Sequence, residues 1–304
     1  MQNLSHKKIL SFYIFFAIFL LNPLTAQDDF IEITDTAPTV IPTLWERVTH
    51  IIFFETGWYL LLMLLVGNLV FFFKRYSLRY PILLISCAYL GFYQGGCPCP
   101  VTAHAQTVAS VIAGNPYWVT PALLLIAVIL NSIIFGRFFC GFICPLGAVQ
   151  EIFGWIRKTH IRLNLRLHRT GFIIRLTVFF IMLLAATYTG QYHFRIFDPF
   201  RTLFTFSGIL ASWIILVFVS GVSIWIYRPF CHFFCPLGAL LELLSRYSFF
   251  QIRLKKSCIS CNKCHTLCPV GAITENGIID NGVCIRCGKC LSRTTCFQFS
   301  STQV

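Results

Sequence analysis

Residues 137–151 read RFFCGFICPLGAVQE, and residues 228–242 read RPFCHFFCPLGALLE. At a constant offset of 91 positions Arg137 aligns with Arg228, Cys140 with Cys231, Cys144 with Cys235, Pro145 with Pro236 and Glu151 with Glu242. The chain is therefore built on an internal repeat, and each copy carries a C-x3-C-P turn. Pro145 and Pro236 suit the first position of a helix, where a missing N–H costs nothing, so Cys144 and Cys235 are expected at the caps. A thiolate there gains from the positive helix end, with Arg137 and Arg228 close in sequence as further compensation.

Outside the repeat the composition is that of a membrane protein. The 304 residues are 57% hydrophobic and 12% charged, against about 25% charged in soluble domains, and the mean hydropathy is +0.73. Lys7 and Lys8 precede an apolar run from Ile9 to Leu21 and then NPLTAQ. Residues 1–26 are thus a signal peptide cleaved after Ala26 or an uncleaved signal anchor, and both leave residue 27 outside. Residues 27–56 form a short periplasmic segment. Apolar runs near 57–73, 81–95, 117–136, 172–189 and 208–227 predict five spans within a membrane domain at 57–250. Lys74–Tyr80 holds three Lys/Arg and 137–171 holds six, whereas 95–116 holds none and 190–207 two. By the positive-inside rule the first pair faces the cytoplasm, and so does the C-terminal tail. The net charge of +13 follows from this topology, so membrane lipid is expected as a partner and nucleic acid is not. Both cysteine turns then lie at the inner ends of outside-to-inside spans, as parallel repeats. The stretch LGAVQEIFGWIRK after Pro145 is expected to run along the inner surface as an amphipathic helix.

The tail, residues 251–304, carries CISCNKCHTLCP, which places Cys258, Cys261, Cys264 and Cys268 in the C-x2-C-x2-C-x3-C-P spacing of a bacterial 4Fe-4S ferredoxin. CIRCGKCLSRTTC adds Cys284, Cys287, Cys290 and Cys296. In two-cluster ferredoxins the fourth cysteine of each run ligates the other cluster. The expected sets are therefore Cys258, Cys261, Cys264 and Cys296 around one 4Fe-4S cluster, and Cys284, Cys287, Cys290 and Cys268 around a second. The last spacing is x5 with no following proline; if Cys296 does not reach, the first cluster is labile or three-iron. Two triplets of cysteine fit zinc poorly, and a reducing cytoplasmic face does not suit disulfides. Between the runs, GAITENGIIDNGV reads as short strands around Asn-Gly turns.

Two readings of the repeated turns stay open. Cys140, Cys144, Cys231 and Cys235 converge at the repeat interface as a further metal centre or dithiol relay, or they are inert thiols in structural turns. Near the outer face, GFYQGGCPCPVTAHAQ places Cys97 and Cys99 among Gly95, Gly96, Pro98 and Pro100, which forbid regular helix. Cys97 and Cys99 are candidates for metal ligation or thiol redox, with His104 as a possible extra ligand, or they sit incidentally in a turn. Cys87 is expected in core packing. His193 and Asp198 read as a surface histidine and a turn-forming Asp-Pro, with a quinol site as the other reading.

These residues resemble the membrane polyferredoxins typified by NapH, with the C-terminal part of NosR and the CcoG family as relatives, over roughly residues 57–304. The CPLGA form is closer to NapH and NosR than to CcoG. The resemblance implies one-electron transport at or across the bacterial inner membrane, since NapH is associated with quinol oxidation, NosR with nitrous oxide reduction and CcoG with copper reduction. The 30 or so outer residues from Gln27 leave no room for the flavin-binding domain of NosR-like proteins, so a flavin role is not carried over. The sequence thus predicts an α-helical integral membrane protein, multi-pass in the inner membrane, with a small cytoplasmic α+β two-cluster ferredoxin domain. It passes electrons between a cytoplasmic donor such as a soluble ferredoxin, or the quinone pool, and a periplasmic cytochrome or reductase. The alternative is a maturation reductase that reduces copper or thiols for a respiratory metalloenzyme. Cluster potentials range over about −700 to +450 mV, so the direction of flow is left open.

Overall fold

The computed structural model describes residues 55–95, 101–114, 118–157, 160–161, 165–189, 199–255, 263–274, 277–294 and 296–301, all within one compact unit. The signal segment, Cys97, Cys99, His193, Asp198, Cys258 and Cys261 lie outside the described residues.

Each predicted apolar run contains a helix, as expected where few polar side chains compete for the backbone and its N–H groups must be satisfied internally. These are α1 (Glu55–Phe72), α2 (Arg79–Ser86, continued by a wider π-helical segment Cys87–Tyr93), α4 (Val119–Phe135), α7 (Leu165–Thr189) and α9 (Leu210–Trp225). Among the described residues α7 alone is long and apolar enough by itself to cross a membrane, over Leu167–Thr189. The short helix α8 (Pro199–Thr205) and α9 pass the same test together, with a bend of 101° between them. The apolar parts of α1 and α4, Gly57–Phe72 and Pro121–Phe135, are shorter.

The repeat is longer than its cysteine turns. Residues 79–154 and 165–246 follow the same order: a helix, a short helix, an apolar helix, a five-residue helix carrying the first cysteine, and a helix opened by Cys-Pro. In the first copy these are α2, α3 (Ala103–Ile112), α4, α5 (Phe138–Phe142) and α6 (Pro145–Gly154). In the second they are α7, α8, α9, α10 (Pro229–Phe233) and α11 (Pro236–Arg246). The copies clasp each other reciprocally: α3 packs on α7 and α8 on the π-helical end of α2, while α6 packs on α9 and α11 on α4. The chain beyond each Cys-Pro helix also bonds to the other copy, Ile161 N–H to the Trp225 carbonyl at 2.8 Å and Phe249 N–H to the Ile133 carbonyl at 2.9 Å.

One expectation is overturned. Helix α6 is not an amphipathic surface helix, because Pro145 through Glu151 are all buried. Its polar side chains Gln150 and Glu151 turn inward to groups of the second copy, so the polar face meets protein rather than water.

The tail is bracketed by a two-stranded antiparallel sheet, β1 (Phe250–Leu254) with β2 (Phe297–Ser301), in the register Ile252 opposite Phe299. Phe299 meets Phe71 of α1 at 4.8 Å between ring centroids, and Phe250 stacks on Phe135 of α4 at 5.5 Å, which docks the sheet on the helices. Among the described residues between the cysteine runs the expected strands shrink to one bridge, Ile273 with Ile279. The Asp280 carboxylate accepts from Gly282 and Val283 N–H at 2.9 and 3.3 Å and turns the chain before a second strand can lengthen. The remaining helices are α12 (Lys263–Leu267) and α13 (Lys289–Arg293).

Candidate functional site

Four cysteines from both tail motifs border one cavity. Cys268, at the end of the first run, meets Cys284, Cys287 and Cys290 of the second there, in a mostly apolar lining that includes Ile252, Val270, Ile273 and Ile285, with Lys289 also at the wall. Ala272 N–H donates to Cys268 Sγ at 3.3 Å, the kind of bond that stabilises a charged thiolate. Burial, and then the facing Cys287 and Cys284, push the Cys268 thiol up to about 12, so metal uptake at this sulfur would displace its proton. The donor set is four soft sulfurs in a mostly apolar cavity, which fits an iron-sulfur cluster. Of the other expected set, Cys264 is buried and Cys296 half-buried.

The repeated turns carry four further cysteines. Cys144 and Cys235 are buried and Cys140 and Cys231 half-buried. Burial raises the Cys144 thiol, and so does charge on Cys231, Cys140 and Cys235. Cys235 caps α11, its Sγ accepting from Gly238 N–H at 3.3 Å. Gln150 of the first copy reaches across to Cys231 Sγ at 3.4 Å. Among the described residues no three Cys, His, Asp or Glu side chains close around a point as ligands of a single ion. A cubane cluster spreads its ligands over separate irons, so it does not need that arrangement.

Around both groups lies a set of buried arginines. Glu151 Oε2 accepts from Arg79 at 2.7 Å and from Arg228 at 2.8 Å, and its Oε1 accepts from the Tyr227 hydroxyl. Glu242 Oε2 accepts from Arg175 at 2.6 Å and lies 3.5 Å from Arg137, with the half-exposed Arg246 at 3.4 Å from Oε1. Arg228 belongs to the second copy and Glu151 to the first; Arg137 and Glu242 make the reverse pairing. The glycines of CPLGA leave room for this exchange. A Cβ at Gly147 would overlap the Arg228 guanidinium, and one at Gly238 would stand 3.3 Å from Arg175 and 3.4 Å from Arg137. Burial opposes ionisation of Glu151, but the facing Arg228 and Arg79 override it and hold the carboxyl at about 2.

The same arginines fasten the cysteine turns. Arg79 Nε donates to the Gly141 carbonyl at 2.9 Å, Arg228 to the Cys140 carbonyl, and Arg175 to the Cys231 carbonyl at 3.3 Å. Arg137 departs from the pattern and donates to Gly282 of the tail at 3.2 Å. Arg286, between Cys284 and Cys287, is fully buried with φ +56 and donates to Asn281 Oδ1 at 2.8 Å, Ser248 Oγ at 3.0 Å and the Phe250 carbonyl at 3.1 Å. Among the described residues five arginines are buried, Arg79, Arg137, Arg175, Arg228 and Arg286, against two carboxylates, Glu151 and Glu242. An uncompensated buried charge costs several kcal/mol, roughly, even after relaxation. Thiolate-bound clusters are anionic, so a cluster held beside these cations would offset part of that excess positive charge.

Other expected residues fall as follows. Cys87 is buried in the main core, as anticipated. His104 is buried and stacked on Phe179 at 4.5 Å, and burial, against an opposing contact with the Val101 backbone, lowers it to about 4. His232 is buried and faces His168 at 5.1 Å between ring centroids. Sequence reasoning aligned Glu151 with Glu242 without assigning them a role, and it missed Arg79, Arg175, Tyr227 and Arg286. The signal for Arg175 was present, since a lone arginine inside an apolar run calls for a buried partner.

Comparison with known proteins agrees with this chemistry. Two family profiles, each described as a 4Fe-4S binding domain, match the chain: one at residues 117–164 and again at 206–257, the other at 255–274. The first covers both cysteine turns. Uncharacterized protein MJ0750 of Methanocaldococcus jannaschii is 34% identical over 175 residues, covering 55% of this chain and 73% of that one. Protein NirI of Paracoccus denitrificans is 28% identical over 62% of this chain, and regulatory protein NosR of Stutzerimonas stutzeri 25% identical over 81%. The chain spans only 30% and 37% of the length of those two. No solved structure matches. The repeated Cys-Pro turns, the ferredoxin motifs and these relatives together show that the chain belongs to the NapH/NosR-type family of membrane polyferredoxins, iron-sulfur proteins of electron transport.

Proposed function

We propose that the protein is a multi-pass inner-membrane electron carrier with a membrane domain at 57–250 and a cytoplasmic tail at 251–304. Electrons pass between a cytoplasmic donor or the quinone pool and a periplasmic acceptor. Support for several spans comes from the large apolar side chains that α1, α4, α7 and α9 leave exposed, such as Leu62, Leu130, Ile181 and Val217, on faces suited to lipid. The basic loops at 74–80 and 137–171 support a cytoplasmic tail.

In this reading Cys268, Cys284, Cys287 and Cys290 hold one 4Fe-4S cluster, and Cys258, Cys261, Cys264 and Cys296 hold another. Cys140, Cys144, Cys231 and Cys235 hold a further centre at the repeat interface. The clusters supply one-electron redox chemistry when bound. The protein supplies thiolate ligands, a mostly apolar lining, and buried guanidiniums that favour the more negative, reduced state. The observation that carries the reading is the meeting of Cys268 with Cys284, Cys287 and Cys290 in one cavity whose Ile285 backbone presses on the first membrane cysteine turn.

Iron and acid-labile sulfide on anaerobically purified protein, with EPR of the reduced sample, test it. Three cubane centres give about twelve irons per chain, falling by about four when Cys140 and Cys231 are both replaced by Ala. A content of about eight that ignores those replacements confines the clusters to the tail. No iron in an anaerobic preparation refutes the reading altogether.

A further inference from the structure

The tail meets the first cysteine turn through a close backbone contact. Gly141 directly follows Cys140, and Ile285 directly follows Cys284. A Cβ at Gly141 would overlap the Ile285 carbonyl oxygen and stand 3.3 Å from its carbon, so glycine is required for the approach. At the repeat-related position of the second copy stands His232, with a full side chain facing His168.

Both sides of the contact are held rigidly. On the membrane side, Arg79 and Arg228 bond the Gly141 and Cys140 carbonyls while sharing the Glu151 carboxylate. On the tail side, Arg137 bonds the Gly282 carbonyl, and Arg286 ties its own loop to Ser248 and Phe250. Tyr76, from the loop between α1 and α2, packs so closely at Gly288 that a Cβ there would overlap its ring. From Cys140 to Cys284 the path is covalent except for the single step from Gly141 to Ile285.

We propose that this contact joins the Cys268, Cys284, Cys287 and Cys290 site, and not the Cys258, Cys261, Cys264 and Cys296 site, to the membrane cysteines, with Gly141 and Ile285 as the positioning residues. The proposal rests on the reading above that both places hold iron-sulfur centres. One electron crossing the contact oxidises the centre on one side and reduces the centre on the other; no bond forms or breaks and no proton moves.

The test is magnetic coupling in the full-length protein, read as broadening and faster spin relaxation of the membrane-centre EPR signal in the fully reduced state. Coupling lost in Cys287→Ala and retained in Cys264→Ala is the expected pattern. Gly141→Ala should keep its iron and sulfide while losing the coupling. Loss in Cys264→Ala with retention in Cys287→Ala overturns the proposal, and so does a Gly141→Ala protein of full iron content with unchanged coupling. If Gly141→Ala does not assemble, the two cysteine variants still decide. Iron that does not fall in the Cys140→Ala, Cys231→Ala double variant removes the membrane centre itself, an outcome read from metal content alone and distinct from a wrong route.

Discussion

Replacing Glu151 by Gln keeps the shape of the side chain and removes its charge from between two buried guanidiniums. In the folded protein the carboxyl accepts from Arg79 at 2.7 Å, from Arg228 at 2.8 Å and from Tyr227, with 2% of the residue exposed. Its pKa falls from the ordinary 4.5 to about 2, which by linkage is on the order of 3 kcal/mol of stability at neutral pH. Removing one partner of a buried pair costs about 3–5 kcal/mol, because the survivors stay buried and unpaired. The two routes agree on about 3 kcal/mol or more for Glu151→Gln. The sign of the pH effect follows from a depressed carboxylate: its contribution is complete above about pH 4.5 and is lost as pH falls towards 2. Wild type should therefore lose stability through that window, and the variant should show a flatter profile there. Denaturant unfolding in detergent micelles, followed by tryptophan fluorescence at pH 7 and pH 3.5, measures both. A variant within about 1 kcal/mol of wild type at pH 7 would refute the reasoning, since surface pairs are worth no more than that.

The other predictions follow from the same contacts. Glu242→Gln should cost less than Glu151→Gln, since two of its three arginine contacts are 3.4–3.5 Å and Arg246 is half-exposed; the same unfolding experiment ranks the pair. Gly147→Ala should destabilise more than Gly238→Ala in that experiment, because its Cβ would overlap the buried Arg228 guanidinium, whereas at Gly238 it would stand 3.3 Å from Arg175. Arg286→Met removes a buried cation beside Cys284 and Cys287, so the midpoint potential of the associated cluster should move to more negative values in a redox titration. Phe297, 3% exposed in β2, should cost about 3–5 kcal/mol as Phe297→Ala, seen as faster hydrogen exchange across β1 and β2.

Much of the architecture was legible because it rests on local chemistry. An apolar run of helical length can satisfy its backbone only by becoming a helix, and each of the five runs contains one. The offset of 91 between the Cys-Pro turns exposed a repeat because both copies need the same proline-opened helix. The grouping of Cys268 with Cys284, Cys287 and Cys290 was expected from the exchange of fourth cysteines in two-cluster ferredoxins, and these four line one cavity. The burial of α6 was not anticipated. Its sequence has an amphipathic pattern, and pattern alone does not say whether a polar face meets water or an arginine from the other copy.

The sequence by itself determined the class of chemistry and the elements that carry it: apolar helices, paired Cys-Pro turns and two runs of soft sulfur ligands, each dictated by residues close along the chain. Only the tertiary structure decided how the copies interlock, because Arg228 finds Glu151 and Arg137 finds Glu242 across 77 and 105 positions of chain. It also decided that Gly141 is glycine for the sake of Ile285, far along the chain in the tail. Such contacts depend on which buried charges must be neutralised and which backbones must touch once the helices have packed, and no local pattern encodes that choice.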